Sequence, residues 1–431
     1  MALTDKLTSI AAAIREKGGT TELLTLDAMP TAIAALPTGG GGDMEPIVFT
    51  GNCNYIFAND NYNWLLEKYA DKISFNKVDN YGYIFTSTKN FDKELPFVFN
   101  CASNYTAFTY AFAYTSFMPT AHNLSGAKNK IAHPSYMFAG NLSKKPVPDL
   151  YMSTETTHDF TQTFSNMATT EIGTIHDAKI AKMSKTFGDS YYLRHCPNFE
   201  NATFYYNEAS YTSMTNIFSN CFSMRTIPYD LLKNIKHPKT TSYSASHLVG
   251  MFYQCHTLDE IDGINPTTGT ITSNMFGNTF YHCFRLKRIK FLMNDDGTPM
   301  TASWKNQTIY LDDNIGYDAY SGGNFDILGY NSGITADKEV KDKATYEALK
   351  NDPDWYTKQF IYSRFNHDSA VELINSLPDT SAYLATQSGG TNTVKFKQNA
   401  GNATDGGSVS ALTEEEIAVA AAKGWTIGYT A

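Results

Sequence analysis

Phe218-Ser-Asn-Cys221-Phe-Ser-Met224-Arg-Thr-Ile227-Pro228 is one copy of a pattern that decides how this chain folds. It returns as Phe252-Tyr-Gln-Cys255-His-Thr-Leu258-Asp-Glu-Ile261 and as Phe280-Tyr-His-Cys283-Phe-Arg-Leu286-Lys-Arg-Ile289. Looser copies start at Phe112 (Thr115, Met118), Phe138 (Asn141, Val147, Pro148), Phe164 (Met167, Ile172) and Phe187 (Ser190, Leu193, Cys196, Pro197). An eighth is read at Phe85. From Phe112 onward the anchors lie 26, 26, 23, 31, 34 and 28 residues apart. A unit of that size cannot bury its own apolar face, so it must stack on its neighbours, and such a period marks a solenoid. The expected spine is a column of phenylalanines, a Cys column and a Leu/Ile pair, each fully buried side chain contributing about 1.5–3 kcal/mol.

The flanks read differently. Leu3, Leu7, Ile10 and Ile14 form one helical stripe, stopped by Gly18 and Gly19. A second stripe, Leu26, Met29, Ile33 and Leu36, starts near Asp27 so that Pro30 falls in its first turn. Two helices this short need a partner, so residues 1–36 read as an attachment or oligomerisation module. Residues 37–43, with four consecutive glycines, read as a joint. Residues 44–100 read as a solenoid cap with a strand at Ile47–Phe49 and a helix at Trp64–Tyr69. The repeats occupy 101–350, with a turn at Asn294–Gly297. Residues 351–431 form a small α/β cap: a helix Asp368–Ser376, a strand Thr393–Lys397, a helix from Glu414 opened by the capping box Thr413/Glu416, and a strand from Trp425. The expected fold class is α/β, an irregular leucine-rich-repeat-type solenoid between these ends.

Composition narrows function. A net charge of −9 with 18% charged residues lacks the Lys/Arg clusters that a nucleic-acid backbone requires. No run of 18 apolar residues is present to span a bilayer. The opening MALTDKLTSIAAAIREKGG has a short, periodic apolar run with Arg15, Glu16 and Lys17 at its end, unlike a secretory signal. The six cysteines are expected to be buried free thiols, four of them lying within the repeats.

Candidate chemistry is sparse. Gly188-Asp189-Ser190 with His195 has the look of an esterase segment, but Ser190 falls at the Cys position of the repeat, which accounts for it. Cys255-His256 and His282-Cys283 lack paired zinc-ligand spacing; on a strand, adjacent residues face opposite ways, so a buried Cys beside a surface His is expected. Asp312, Asp313, Asn314 and Asp318 lack the order of a calcium loop. No cofactor and no catalytic or metal site is expected. Tyr205, Tyr206, Tyr211, Tyr243, Tyr253 and Tyr281 remain as glycan-contact candidates. Planar rings flanked by Asn and Thr suit a pyranose, although strand packing also uses tyrosine.

The repeat resembles the BspA-like class of leucine-rich repeats, and so does the tail, Ser369-Ala-Val-Glu-Leu-Ile-Asn-Ser-Leu-Pro378 with Leu412-Thr-Glu-Glu-Glu-Ile-Ala-Val-Ala-Ala-Ala-Lys-Gly-Trp-Thr426. The opening Lys6-Leu7-Thr8-Ser9-Ile10-Ala11-x-x-Ile14-Arg15-Glu16-Lys17-Gly18-Gly19, with Leu24-Thr25-Leu26-Asp27-x-Met29-Pro30, is similar to that of phage tail and baseplate proteins. The resemblance implies a non-enzymatic virion protein assembled in the host cytoplasm: a tail or baseplate fibre, bound to other virion proteins by its N-terminus and to a bacterial surface glycan or protein by its repeats. By analogy with such fibres it implies a homo-oligomer, a trimer by preference. A head fibre or capsid-decorating protein, and a bacterial BspA-like adhesion protein, are the alternatives.

Overall fold

The structure, a computed structural model, describes residues 8, 10–15, 45–205, 215–235, 248–266, 269–281, 283, 286–311, 366–397, 409 and 411–430. Among these the chain is mixed α/β, with several small parallel sheets, few helices and no closed barrel. Leu3, Leu7, Leu26, Met29, Ile33, Leu36, Tyr206, Tyr211, Tyr243, His282 and the Asp312–Asp318 cluster lie outside the described residues.

Every named strand pair is parallel. β1 (Ile47–Asn52), β2 (Ile73–Asn80), β3 (Thr106–Ala107) and β4 (Ile131–Ala132) follow one another in one sheet. Next, β5 (Leu150–Tyr151), β7 (Ile175–His176) and β9 (Phe199–Glu200) form a second sheet. A third holds β6 (His158–Asp159), β8 (Lys179–Lys182) and β10 (Thr203–Phe204). Further on, β11 (Glu260–Ile264) pairs with β13 (Arg288–Phe291), and β12 (Thr270–Ile271) with β14 (Ser303–Trp304). Each partner comes from the next copy of the sequence pattern, because the intervening chain returns to the same edge one period later.

Between the strands, each copy turns about its anchor phenylalanine by one backbone device. Numbering that Phe as position 0, positions −2 and +2 are left-handed in copy after copy. At −2 the φ angles run from 51° to 62° over Tyr55, Tyr83, Tyr110, Tyr136, Gln162, Lys185, Asn216, Gly250 and Asn278. At +2 they run from 53° to 63° over Asn59, Ser87, Tyr114, Gly140, Asn166, Asp189, Asn220 and Gln254. Such a residue closes a tight turn, and the amide after it folds back three residues, as in Ile84 N to Tyr81 O (3.1 Å) and Thr88 N to Phe85 O (3.0 Å). The amides at −2, 0 and +2 are left pointing along the stack. Tyr110, Phe112 and Tyr114 donate to Ser135, Met137 and Ala139 of the next copy, and Lys185, Phe187 and Asp189 to Thr215, Ile217 and Ser219. Every backbone N–H of 110–114 and 185–189 has its acceptor, which is the condition for burying them.

The anchors form one column of nine rings: Phe57, Phe85, Phe112, Phe138, Phe164, Phe187, Phe218, Phe252 and Phe280. Successive centroids lie 5.2–6.0 Å apart with ring planes within 16°. All nine are buried. Offset stacking at this distance adds about 0.5–1.5 kcal/mol per pair beyond area burial. The column reaches back through Phe85 to Phe57, into the stretch read from sequence as a cap.

The side chain at position +3 ties copies together. Thr88, Asn141, Ser190, Cys221, Cys255 and Cys283 donate to the carbonyls of Phe57, Phe112, Phe164, Phe187, Phe218 and Phe252 at 2.5–3.1 Å. In these six copies the donor at +3 varies between hydroxyl, amide and thiol while its acceptor does not; Thr115 instead bonds within its own copy, to Phe112 O and Phe117 O. All six cysteines are free and buried. Burial pushes the Cys53 thiol up to about 12 and the Cys101 thiol up to about 11.

Both ends of the stack carry helices. At the front, α1 (Asn63–Tyr69) supplies Trp64 and Tyr69, on which a helical segment at residues 10–15 rests through Ala11, Ile14 and the half-buried Ile10. Those two isoleucines of the attachment stripe therefore face the chain's own body. At the back, α2 (His367–Ser376) packs on β13, and β15 (Thr308–Leu311), β16 (Asn392–Lys397) and β17 (Trp425–Thr430) share one parallel sheet. The helix α3 (Glu414–Ala422) opens with the capping box Thr413/Glu416 and packs on α2 and β17. Among the described residues no helix is long and apolar enough to cross a membrane.

Candidate functional site

Position −2 builds the most regular exposed feature of the molecule. In four successive copies it holds tyrosine, as Tyr55-Ile-Phe57, Tyr83-Ile-Phe85, Tyr110-Ala-Phe112 and Tyr136-Met-Phe138. The common backbone carries all four rings out on one side, where they stack at 4.7, 4.7 and 4.3 Å with planes 16°, 9° and 6° apart. Tyr55 ends the row and is 53% exposed, while the other three are partly buried. Gln162 continues the column, its amide donating to the Tyr136 hydroxyl at 2.9 Å. Crowding holds the two middle phenols in their neutral form: burial, then Tyr136 and its hydrogen bond, push Tyr110 up to about 12, and burial together with Tyr55 and Tyr136 raises Tyr83. At +2, Tyr114 is 42% exposed and lies flat over Gly140, where a Cβ would come within 2.3 Å of its ring.

The left-handed backbone makes this row costly. An ordinary L-residue loses roughly 1–2 kcal/mol there, whereas glycine or asparagine adopts it readily. Later copies use the cheap residues, Asn216, Gly250 and Asn278. In the early copies mutual stacking offsets the strain without exceeding it.

The glycan candidates read from sequence are not in this row. Tyr253 and Tyr281 sit at position +1 and stack on each other at 5.3 Å and 8°. Tyr205 stands apart after β10, 46% exposed. The Tyr-x-Phe spacing, repeated four times, is the signal that would have found Tyr55, Tyr83, Tyr110 and Tyr136.

Among the described residues the remaining candidates have structural employment. Ser190 is buried and gives its hydroxyl to Phe164 O, while His195 shares a hydrogen bond with Thr226 Oγ1 at 2.9 Å. His256 is a correction: it is buried, not a surface residue, and lies flat on Phe222 with centroids 4.5 Å apart. The alternation expected of a strand fails there because residues 250–256 form turns around left-handed Gly250 and Gln254. No group of three or more potential metal ligands occurs among the described residues.

A second concavity lies at the far end of the stack. An open cleft of about 570 Å³ between β13, α2 and α3 is lined by Lys290, His367, Asp368, Glu372 and Glu416 among others. His367 Nε2 meets Glu416 Oε2 at 3.1 Å, and Arg288 bridges Glu260, Asp262 and Glu372. The Thr413 amide, with a smaller contribution from His367, lowers the Glu416 carboxyl. These charges are paired across the seam between α2, α3 and the last copies, which makes the cleft a join.

No family model, curated protein or solved structure matches this chain.

Proposed function

We propose that the parallel sheets and the ring column are turns of one irregular leucine-rich-repeat-type solenoid, and that the chain is a phage virion structural protein, a tail or baseplate fibre that recognises a bacterial surface. The observation that carries this reading is the row Tyr55, Tyr83, Tyr110 and Tyr136, one group repeated four times at the spacing of the stack. A repeated surface group on a stiff body suits adhesion, since several weak contacts made together give avidity. Residues 1–36 serve as the virion-facing module, with Ile10 and Ile14 held against α1 of the body. Oligomerisation, a trimer by preference, multiplies the contacts.

Imaging of the intact particle with a tag fused after residue 431 tests the assignment. Label at the distal tail is the expected result; label on the capsid selects the head-fibre alternative, and particles without label select the bacterial adhesion protein. Adsorption of the purified chain to host cells gives the companion measurement, and absence of any adsorption overturns surface recognition.

A further inference from the structure

The tyrosine row stands in an uncharged strip. The five stretches 53–59, 81–87, 108–114, 134–140 and 160–166, spanning positions −4 to +2 of consecutive copies, contain no Asp, Glu, Lys, Arg or His. Some of these positions are buried and exclude charge for that reason, but Tyr55, Asn59, Tyr114 and the rim of the row face solvent. In the next copy the same positions carry Lys185 and Asp189, paired at 3.6 Å, so the backbone does not forbid charge there. An uncharged strip of this length lacks the cations that nucleic acid or an anionic polymer needs. It also offers no free strand edge, because the amides at −2, 0 and +2 already donate to the next copy, so a peptide cannot add as a strand.

We infer that this strip binds an uncharged, extended polysaccharide laid along the stack axis, with Tyr55, Tyr83, Tyr110, Tyr136 and Gln162 as contact residues. This deepens, and rests on, the surface-recognition reading above. The geometry fixes how the contacts divide. Interior rings spend their faces on one another and present edges and hydroxyls; Tyr55 alone keeps a broad exposed face for a sugar ring to stack on. The ring centroids recur every 4.3–4.7 Å, somewhat less than one sugar unit of an extended β-linked chain, so successive phenols meet successive sugars with a register that drifts along the row. A phenol hydroxyl both donates and accepts, as a sugar hydroxyl does.

Titration calorimetry of the full chain with cellohexaose and chitohexaose, and with hexagalacturonate as the anionic control, tests this. Binding of at least one neutral hexasaccharide, with no heat from the anionic one, is expected. The double variant Tyr83→Asn/Tyr110→Asn borrows the residue that this chain uses at the same position in later copies, so the turn is retained. It should weaken binding at least ~tenfold, and Tyr83→Phe/Tyr110→Phe, which keeps the rings, should cost about fivefold per lost hydrogen bond. No binding of either neutral sugar, equal binding of the anionic one, or wild-type affinity in the Asn variant overturns the inference. Cell adsorption by the same Asn variant separates the two readings: undiminished adsorption leaves the fibre standing and removes the strip, while sugar binding by a chain that adsorbs to no cell does the reverse.

Discussion

The early copies, anchored at Phe57 to Phe164, and the late ones, anchored at Phe187 to Phe280, share one backbone and differ in what they hang on it. Four of the five early copies carry tyrosine at −2, the fifth Gln162, and Thr88 and Asn141 bond across copies; late copies carry Lys185, Asn216, Gly250 and Asn278 at −2 and bond with Ser190, Cys221, Cys255 and Cys283. Inside, the requirement is for any small donor that reaches a Phe carbonyl. Outside, the last three copies take what the left-handed turn prefers, Asn216, Gly250 and Asn278, and the early copies do not. The shared frame is thus a matter of stability, and the tyrosine row points to surface chemistry.

The largest expected effect tests whether the frame really is shared. Phe138→Ala and Phe218→Ala should each lose about 3–5 kcal/mol by urea denaturation, because each opens a cavity in the same column. A large difference between the two would split the stack into unlike halves. Next, Asn141→Ala strips the amide that serves Phe112 O, Thr115 Oγ1 and Phe117 O together, and about 2–3 kcal/mol should go with these buried acceptors.

Alkaline pH sharpens the contrast further. A thiol whose folded pKa is raised contributes stability that is complete below its unfolded value near 9 and is lost as pH rises toward the folded one. For Cys53 and Cys101 that window runs from about 9 to 12 and from about 9 to 11. Burial also raises Cys196, Cys221, Cys255 and Cys283, and since every window opens near 9, four thiols against two should make the late copies weaken more above that pH, by on the order of 1 kcal/mol per thiol for each pH unit. Hydrogen exchange at pH 8 and 10 resolves the two regions. Cys255→Ser makes a late copy resemble the one holding Ser190, and its midpoint should move by less than about 1 kcal/mol. Smallest is Tyr83→Asn, where relief of backbone strain offsets lost stacking to within roughly 0.5 kcal/mol.

The sequence made some of this legible and hid the rest for identifiable reasons. The Phe-x-x-Cys-x-x-Leu-x-x-Ile copies are plain because burial constrains four positions at once, and the helices at 63–69, 367–376 and 414–422 carry ordinary periodicity or capping. Left-handed turns carry no such mark when tyrosine fills them, so the sequence alone presents Tyr55 and Tyr83 as parts of a cap and points to Tyr205, Tyr253 and Tyr281 instead. His256 was misplaced by the same omission, since a strand was assumed where the chain turns.

The amides point both ways along the pile. Around each anchor they reach to the copy that follows, as from Tyr110, Phe112 and Tyr114, whereas beyond the turn Ser116, Leu142 and Ala168 reach back to Thr88, Thr115 and Asn141. Whatever closes either extremity must therefore offer acceptors over one stretch of its face and donors over another.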